Sequence, residues 1–192
     1  SKPMDSSEKY QLLWNAMLEV VRADAGLNET QFDTLALRIF ELQYQLNSTY
    51  RAYCDALGRT QPAGWMEIPA LPAAAFKRAK VTSFPPERAS TYFQTSGTSD
   101  GETGRHWFES TELYEAALYP TFVKYVMGDA GRLPMHMIIS SPNEAPHSSL
   151  VHMMHTMSAR LPGEGNEGVH YYVKNGQVDF LNFAQNLETV CA

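Results

Sequence analysis

Cysteine is nearly absent from this chain: Cys54 and Cys191 are the two in 192 residues. Thiols this sparse build neither a disulfide framework nor a metal-spaced pair, so both read as reduced thiols of a cytoplasmic protein. Long apolar runs are missing too. None approaches the roughly 18 residues of a membrane-spanning helix, and the polar opening SKPMDSSE has no hydrophobic centre of the secretory kind. Basic charge is short: 15 Lys and Arg stand against 21 Asp and Glu, a net charge of −6. The densest basic cluster, Lys77, Arg78 and Lys80, is too brief to track a phosphate backbone, and an acidic chain repels one at long range. Nucleic acid is therefore not the expected partner. Internal repeats and low-complexity tracts are also lacking.

What is present suffices for a core. Hydrophobic residues make up 44% and aromatics 11%, which excludes a disordered chain. Residues 7–24 carry Leu12, Leu13, Ala16, Met17, Val20 and Val21 at helical spacing, with Ser6 or Ser7 as N-cap and Gly26 as stop. A second helix, capped by Asn28 or Thr30, is expected to run unbroken to Leu57 and end at Gly58. Residues 59–72, rich in Pro and Gly, form a connector. Beyond it, strands are expected at 80–84, 90–94 and 133–140, and helices at 111–127, 149–161 and from about 182. Pro120 should kink or break the 111–127 helix. Residues 169–173 and 177–180, joined through Asn175-Gly176, read as a hairpin, since both turn residues tolerate positive φ. The expected fold class is α/β, with a helical N-terminal segment over 1–62 followed by an α/β subdomain over 63–192.

The segment YFQTSGTSDGETGRHWF, residues 92–108, is chemically distinctive. Thr95, Ser96, Gly97, Thr98, Ser99 and Gly101 follow directly on the strand. Glycines let backbone N–H groups converge on an anion, and small hydroxyls add donors without bulk. A polyphosphate suits such a loop. The Gly-Lys-Ser/Thr ending of the Walker loop is missing, so this is no ordinary P-loop. The plainer alternative is a solvated Ser/Gly surface loop.

TSGTSDG resembles the Thr-Ser-Gly-Thr-Thr-Gly phosphate loop of the adenylate-forming enzymes. Together with IPALPAAAFKRAKVTSFP (68–85) and IISSPNEAPHSSLVHMM (138–154), it looks like the acyl-protein synthetases of the LuxE type. The resemblance covers roughly residues 65–160. It implies an α/β subdomain like the N-terminal part of those enzymes, and activation of a carboxylic acid, of the fatty class, by ATP and Mg²⁺. A thiol acceptor, on a protein or on CoA, would then take the acyl group. It places Thr95, Ser96, Gly97, Thr98, Ser99 and Gly101 on the β- and γ-phosphates and His147 beside the acyl pocket. It also implies a longer parent, whose C-terminal half lies beyond this chain. Asp100 departs from the pattern by standing where the family has its second glycine. A carboxylate there repels a triphosphate unless a cation or an insertion turns it away. An acyl- or aryl-CoA ligase and a non-catalytic synthetase-like interaction domain are the alternatives.

Other groupings carry less chemistry. Arg105 is either a counter-charge after the loop or a solvated arginine, and His147 is either functional or simply the residue before a helix capped by Ser148 or Ser149. His152 and His155, three apart, lack a third metal ligand in the neighbouring sequence. Met135, Met137, Met153, Met154 and Met157 read as core filler or as a pliable pocket wall.

Overall fold

The helical opening of the chain is divided at Asn47. The computed structural model describes residues 6–23, 26–95, 103–129, 134–160 and 169–191. Helix α1 spans Ser6–Arg22, α2 Glu29–Leu46 and α3 Ser48–Ala56. Asn28 begins α2 through a reciprocal cap: its side chain accepts from the Gln31 N–H, and the Gln31 side chain accepts from the Asn28 N–H. The expected single helix to Leu57 is thus two. Asn47 adopts an extended backbone, ends α2, and caps α3 by accepting from the Tyr50 N–H at 3.0 Å. Hydrophobic periodicity runs across this break because both helices contribute to the same core of Phe40, Tyr50 and Cys54. Burying a side chain of the size of Phe40 contributes about 1.5–3 kcal/mol.

The chain divides into two compact units, Ser1–Ala117 and Leu118–Ala192. In the first, the connector passes through a short turn at Trp65–Glu67 to a one-turn helix, α4 (Ala75–Arg78). Residues 80–84, expected as a strand, form none. Pro85-Pro86 comes immediately after, and Val81, Thr82, Ser83 and Phe84 turn toward a cavity. Strands β1 (Thr91–Gln94) and β2 (Arg105–Phe108) pair antiparallel, with Tyr92 opposite Trp107 and Phe93 opposite His106. Helix α5 (Glu112–Phe122) is next, and the boundary between units falls within it. It runs through Pro120 and then widens into one π turn, Val123–Met127, which ends at Gly128 with φ 54°. A proline removes one i→i−4 donor, and the loosened turn just beyond it is the local response.

The second unit is a small mixed sheet. Strands β3 (Met135–Ser140) and β4 (Val169–Lys174) run parallel, joined through helix α6 (Ser149–Arg160). Strand β5 (Gln177–Val178) returns antiparallel to β4. Its turn is the Asn-Gly turn read from the sequence, with φ 51° at Asn175 and 74° at Gly176. Asp179 caps α7 (Phe180–Cys191) by accepting from the Asn182 N–H. Met137, Val151, Met157 and Tyr172 form the buried core of this unit. The architecture is mixed α/β with two small sheets. Among the described residues, no helix is long and apolar enough to cross a membrane.

Candidate functional site

The hydroxyl- and glycine-rich segment lies in the chain between two paired strands, β1 and β2. RHWF, the aromatic return of the chain, is strand β2, which was not among the expected strands. The loop is closed at its base by two bonds. The Thr95 N–H donates to the Gly104 carbonyl at 2.9 Å, and the Gly104 N–H donates to the Thr95 hydroxyl oxygen at 2.9 Å. Gly104 also sits in a close approach. A Cβ there would stand 3.1 Å from Thr95 Oγ1 and 3.4 Å from the backbone carbon of Phe76. Ser96, Gly97, Thr98, Ser99, Asp100 and Gly101 lie outside the described residues.

Both faces of the hairpin are ordered by rings. Phe93, 4% exposed, packs against Phe108 and Tyr114. On the opposite face the Tyr92 and Trp107 rings lie 4.8 Å apart. Arg105 covers Tyr92 at 5.1 Å and Lys80 covers Trp107 at 4.2 Å. Two cations are thereby held on aromatic faces at the foot of the loop, an attraction of about 0.5–1 kcal/mol each at exposed positions.

His147 belongs to the second unit, in the turn before α6, and is half-buried. Ser148 caps the helix: its hydroxyl accepts from the Val151 N–H at 3.3 Å. On α6, His155 Nδ1 bonds the Tyr171 hydroxyl at 2.9 Å. Met157 is fully buried, as core.

A polar cluster in the second unit has no counterpart among the sequence expectations. His136 on β3 and His170 on β4 are register partners with rings stacked at 5.1 Å. The Asn186 amide donates to the Tyr172 hydroxyl at 3.1 Å, and that hydroxyl lies 2.6 Å from His136 Nδ1. The His136 tautomer sets which of these two groups donates, and the other ring nitrogen is Nε2. That buried nitrogen has no hydrogen-bond partner among the described residues. Burial, and then the neighbouring His170, hold the His136 pKa below its ordinary value.

The first unit has a half-open cavity of about 720 Å³ between α1, α2, the connector and the β1–β2 hairpin. Trp14, Leu42, Tyr50, Phe76, Trp107 and Tyr114 are among its walls. A second space of about 380 Å³ adjoins it, sharing Tyr10, Trp14, Ser83, Phe84, Glu109 and Ser110. Arg88 pairs with Glu109 at this mouth. Burial raises the pKa of Tyr10, with Glu109 adding to the rise, and burial likewise raises that of Tyr114. Phe76 links cavity and loop: it lines the one, abuts Gly104 at the base of the other, and stacks on His106 at 4.2 Å.

No protein-family model, no curated protein and no solved structure matches this chain. The residues themselves carry the functional reading. Among the described ones, no three His, Cys, Asp or Glu are grouped to hold a metal ion. Period-two placement of His136, His170 and Tyr172 on two apolar segments was the available signal for the polar cluster. The cavity had no such signal, because its walls come from segments far apart in the chain.

Proposed function

We propose that the loop after Gln94 binds the polyphosphate of ATP, and that the protein activates a carboxylic acid, of the fatty class, as its adenylate. In this reading Thr95, Ser96, Gly97, Thr98, Ser99 and Gly101 face the β- and γ-phosphates, with Arg105 and Lys80 supplying positive charge at the loop's foot. Mg²⁺ would enter with the nucleotide and supply countercharge to its phosphates. The acid's carboxylate oxygen attacks the α-phosphorus, the bond to the bridging oxygen breaks, and pyrophosphate leaves. A thiolate then attacks the acyl carbonyl and AMP departs.

The observation that carries the reading is the Thr95–Gly104 pair. Two mutual hydrogen bonds hold the ends of a hydroxyl- and glycine-rich loop together on a rigid hairpin, the kind of scaffold on which binding loops work. Pyrophosphate–ATP exchange with a panel of fatty and aryl acids tests the chemistry. Acid-dependent exchange supports the proposal; Mg²⁺-dependent ATP binding with no exchange for any acid removes its enzymatic half. Asp100 favours a second reading, a synthetase-like interaction domain with a spoiled loop, for which nucleotide binding itself is absent.

A further inference from the structure

The cleft of the first unit has no part in the nucleotide reading, and concave, mostly apolar spaces of this kind are where proteins take small molecules. At about 720 Å³ it falls within the range of small-molecule sites, about 300–1,000 Å³, and it has their make-up: aromatic and aliphatic walls with a few polar groups among them. Tyr10, Ser83, Glu109 and Ser110 are the polar ones it shares with the smaller adjoining space.

Charge at the mouth decides what kind of molecule fits. Arg88 is the cation among the lining residues, and Glu109 holds it. Glu112, also at the mouth, is held by Arg22 at 2.9 Å. Each carboxylate is matched by a guanidinium, so an anionic guest finds Arg88 already engaged by Glu109. A cationic guest meets carboxylates already neutralised. Desolvating either charge without a partner is costly. We propose that this cavity is a binding site for an uncharged small molecule with an aromatic or alkyl body and one hydrogen-bonding end, the body lying among Trp14, Phe76, Trp107 and Tyr114 and the polar end at the Tyr10–Ser110 mouth. A neutral ester, alcohol or phenol has this chemistry; a free carboxylic acid at neutral pH does not. The site is separate from the loop and stands whether or not the loop binds ATP.

Two probes that share a scaffold and differ in charge test it: N-phenyl-1-naphthylamine, neutral, and its sulfonated relative 1-anilinonaphthalene-8-sulfonate. Titrated into the full chain, the neutral probe should saturate at one equivalent and quench the tryptophans by energy transfer from Trp14 and Trp107. Its Kd should be about tenfold or more below that of the sulfonate, a preference on the scale of one uncompensated charge. Leu113→Trp, which fills the cavity from α5, should abolish binding of the neutral probe. Glu109→Gln releases Arg88, so it should tighten the sulfonate severalfold and shift the neutral probe less, narrowing the ratio of the two Kd values; this comparison decides the matter if the filling variant does not fold. The proposal is overturned if the neutral probe does not saturate, if both probes bind wild type equally, or if Glu109→Gln leaves their ratio unaltered.

Discussion

Thr95 and Gly104 are joined twice, each giving its N–H to the other, at the point where the hairpin opens into its loop. The hydroxyl of Thr95 therefore does a backbone's work, and Gly104 is the residue small enough to let it. Substitution at either position should loosen the clamp. Gly104→Ala places a methyl 3.1 Å from Thr95 Oγ1 and 3.4 Å from Phe76 backbone. Overpacking of this sort costs about 1–3 kcal/mol. Thr95→Val removes the acceptor and leaves the Gly104 N–H unpaired, at about 1–2 kcal/mol. Urea denaturation measures both, and the two losses should not add, because each variant breaks the same clamp.

Removing the cations at the foot of the loop should separate binding from stability. Arg105→Ala and Lys80→Ala each forfeit one exposed cation–π contact, so unfolding midpoints should move little. If the loop holds a polyphosphate, each variant should weaken MgATP binding severalfold, more so at low ionic strength, where screening is least. Calorimetry at two salt concentrations reads this directly.

His136 makes stability depend on pH. Its folded-state pKa lies below the ordinary histidine value of 6.5, first through burial and then through His170. The unfolded chain therefore takes up a proton that the folded chain refuses. By linkage, the contribution of His136 is fully present above about pH 6.5 and is lost as pH falls below it toward the folded-state pKa. Denaturation midpoints measured from pH 8 downward should show this loss, and His136→Gln should flatten it. Tyr172→Phe, which takes the hydroxyl from both His136 and Asn186, should lower stability by about 1–3 kcal/mol at neutral pH.

Asn47 is where sequence pattern and structure part most instructively. The apolar steps Phe32, Leu35, Ile39, Leu42 and Leu46 suggest one helix to Leu57, because period alone cannot see a break that keeps both helices on one core. An asparagine signals such a break only when its side chain caps the next helix, as here with the Tyr50 N–H. The Asn-Gly turn, by contrast, is legible because its positive φ angles are a property of the two residues themselves. The strand expected at 80–84 fails for the opposite reason: β-forming residues need a partner strand, and these face the cavity instead. Strand β2 is no shorter than β1 and is defined by its pairing with it. Legible signals are thus local, and the missed ones, the His136 cluster and the cavity, depend on distant segments meeting. Asn47→Ala should cost about 0.5–2 kcal/mol, the range for a lost N-cap, read as a lowered melting temperature.

The most direct measurement is calorimetric titration of MgATP into the chain, with Thr95→Val and Arg105→Ala in parallel. A loop built for polyphosphate should give saturable, Mg²⁺-dependent heat that both substitutions weaken. Absence of any nucleotide heat from a folded wild-type sample would contradict the account.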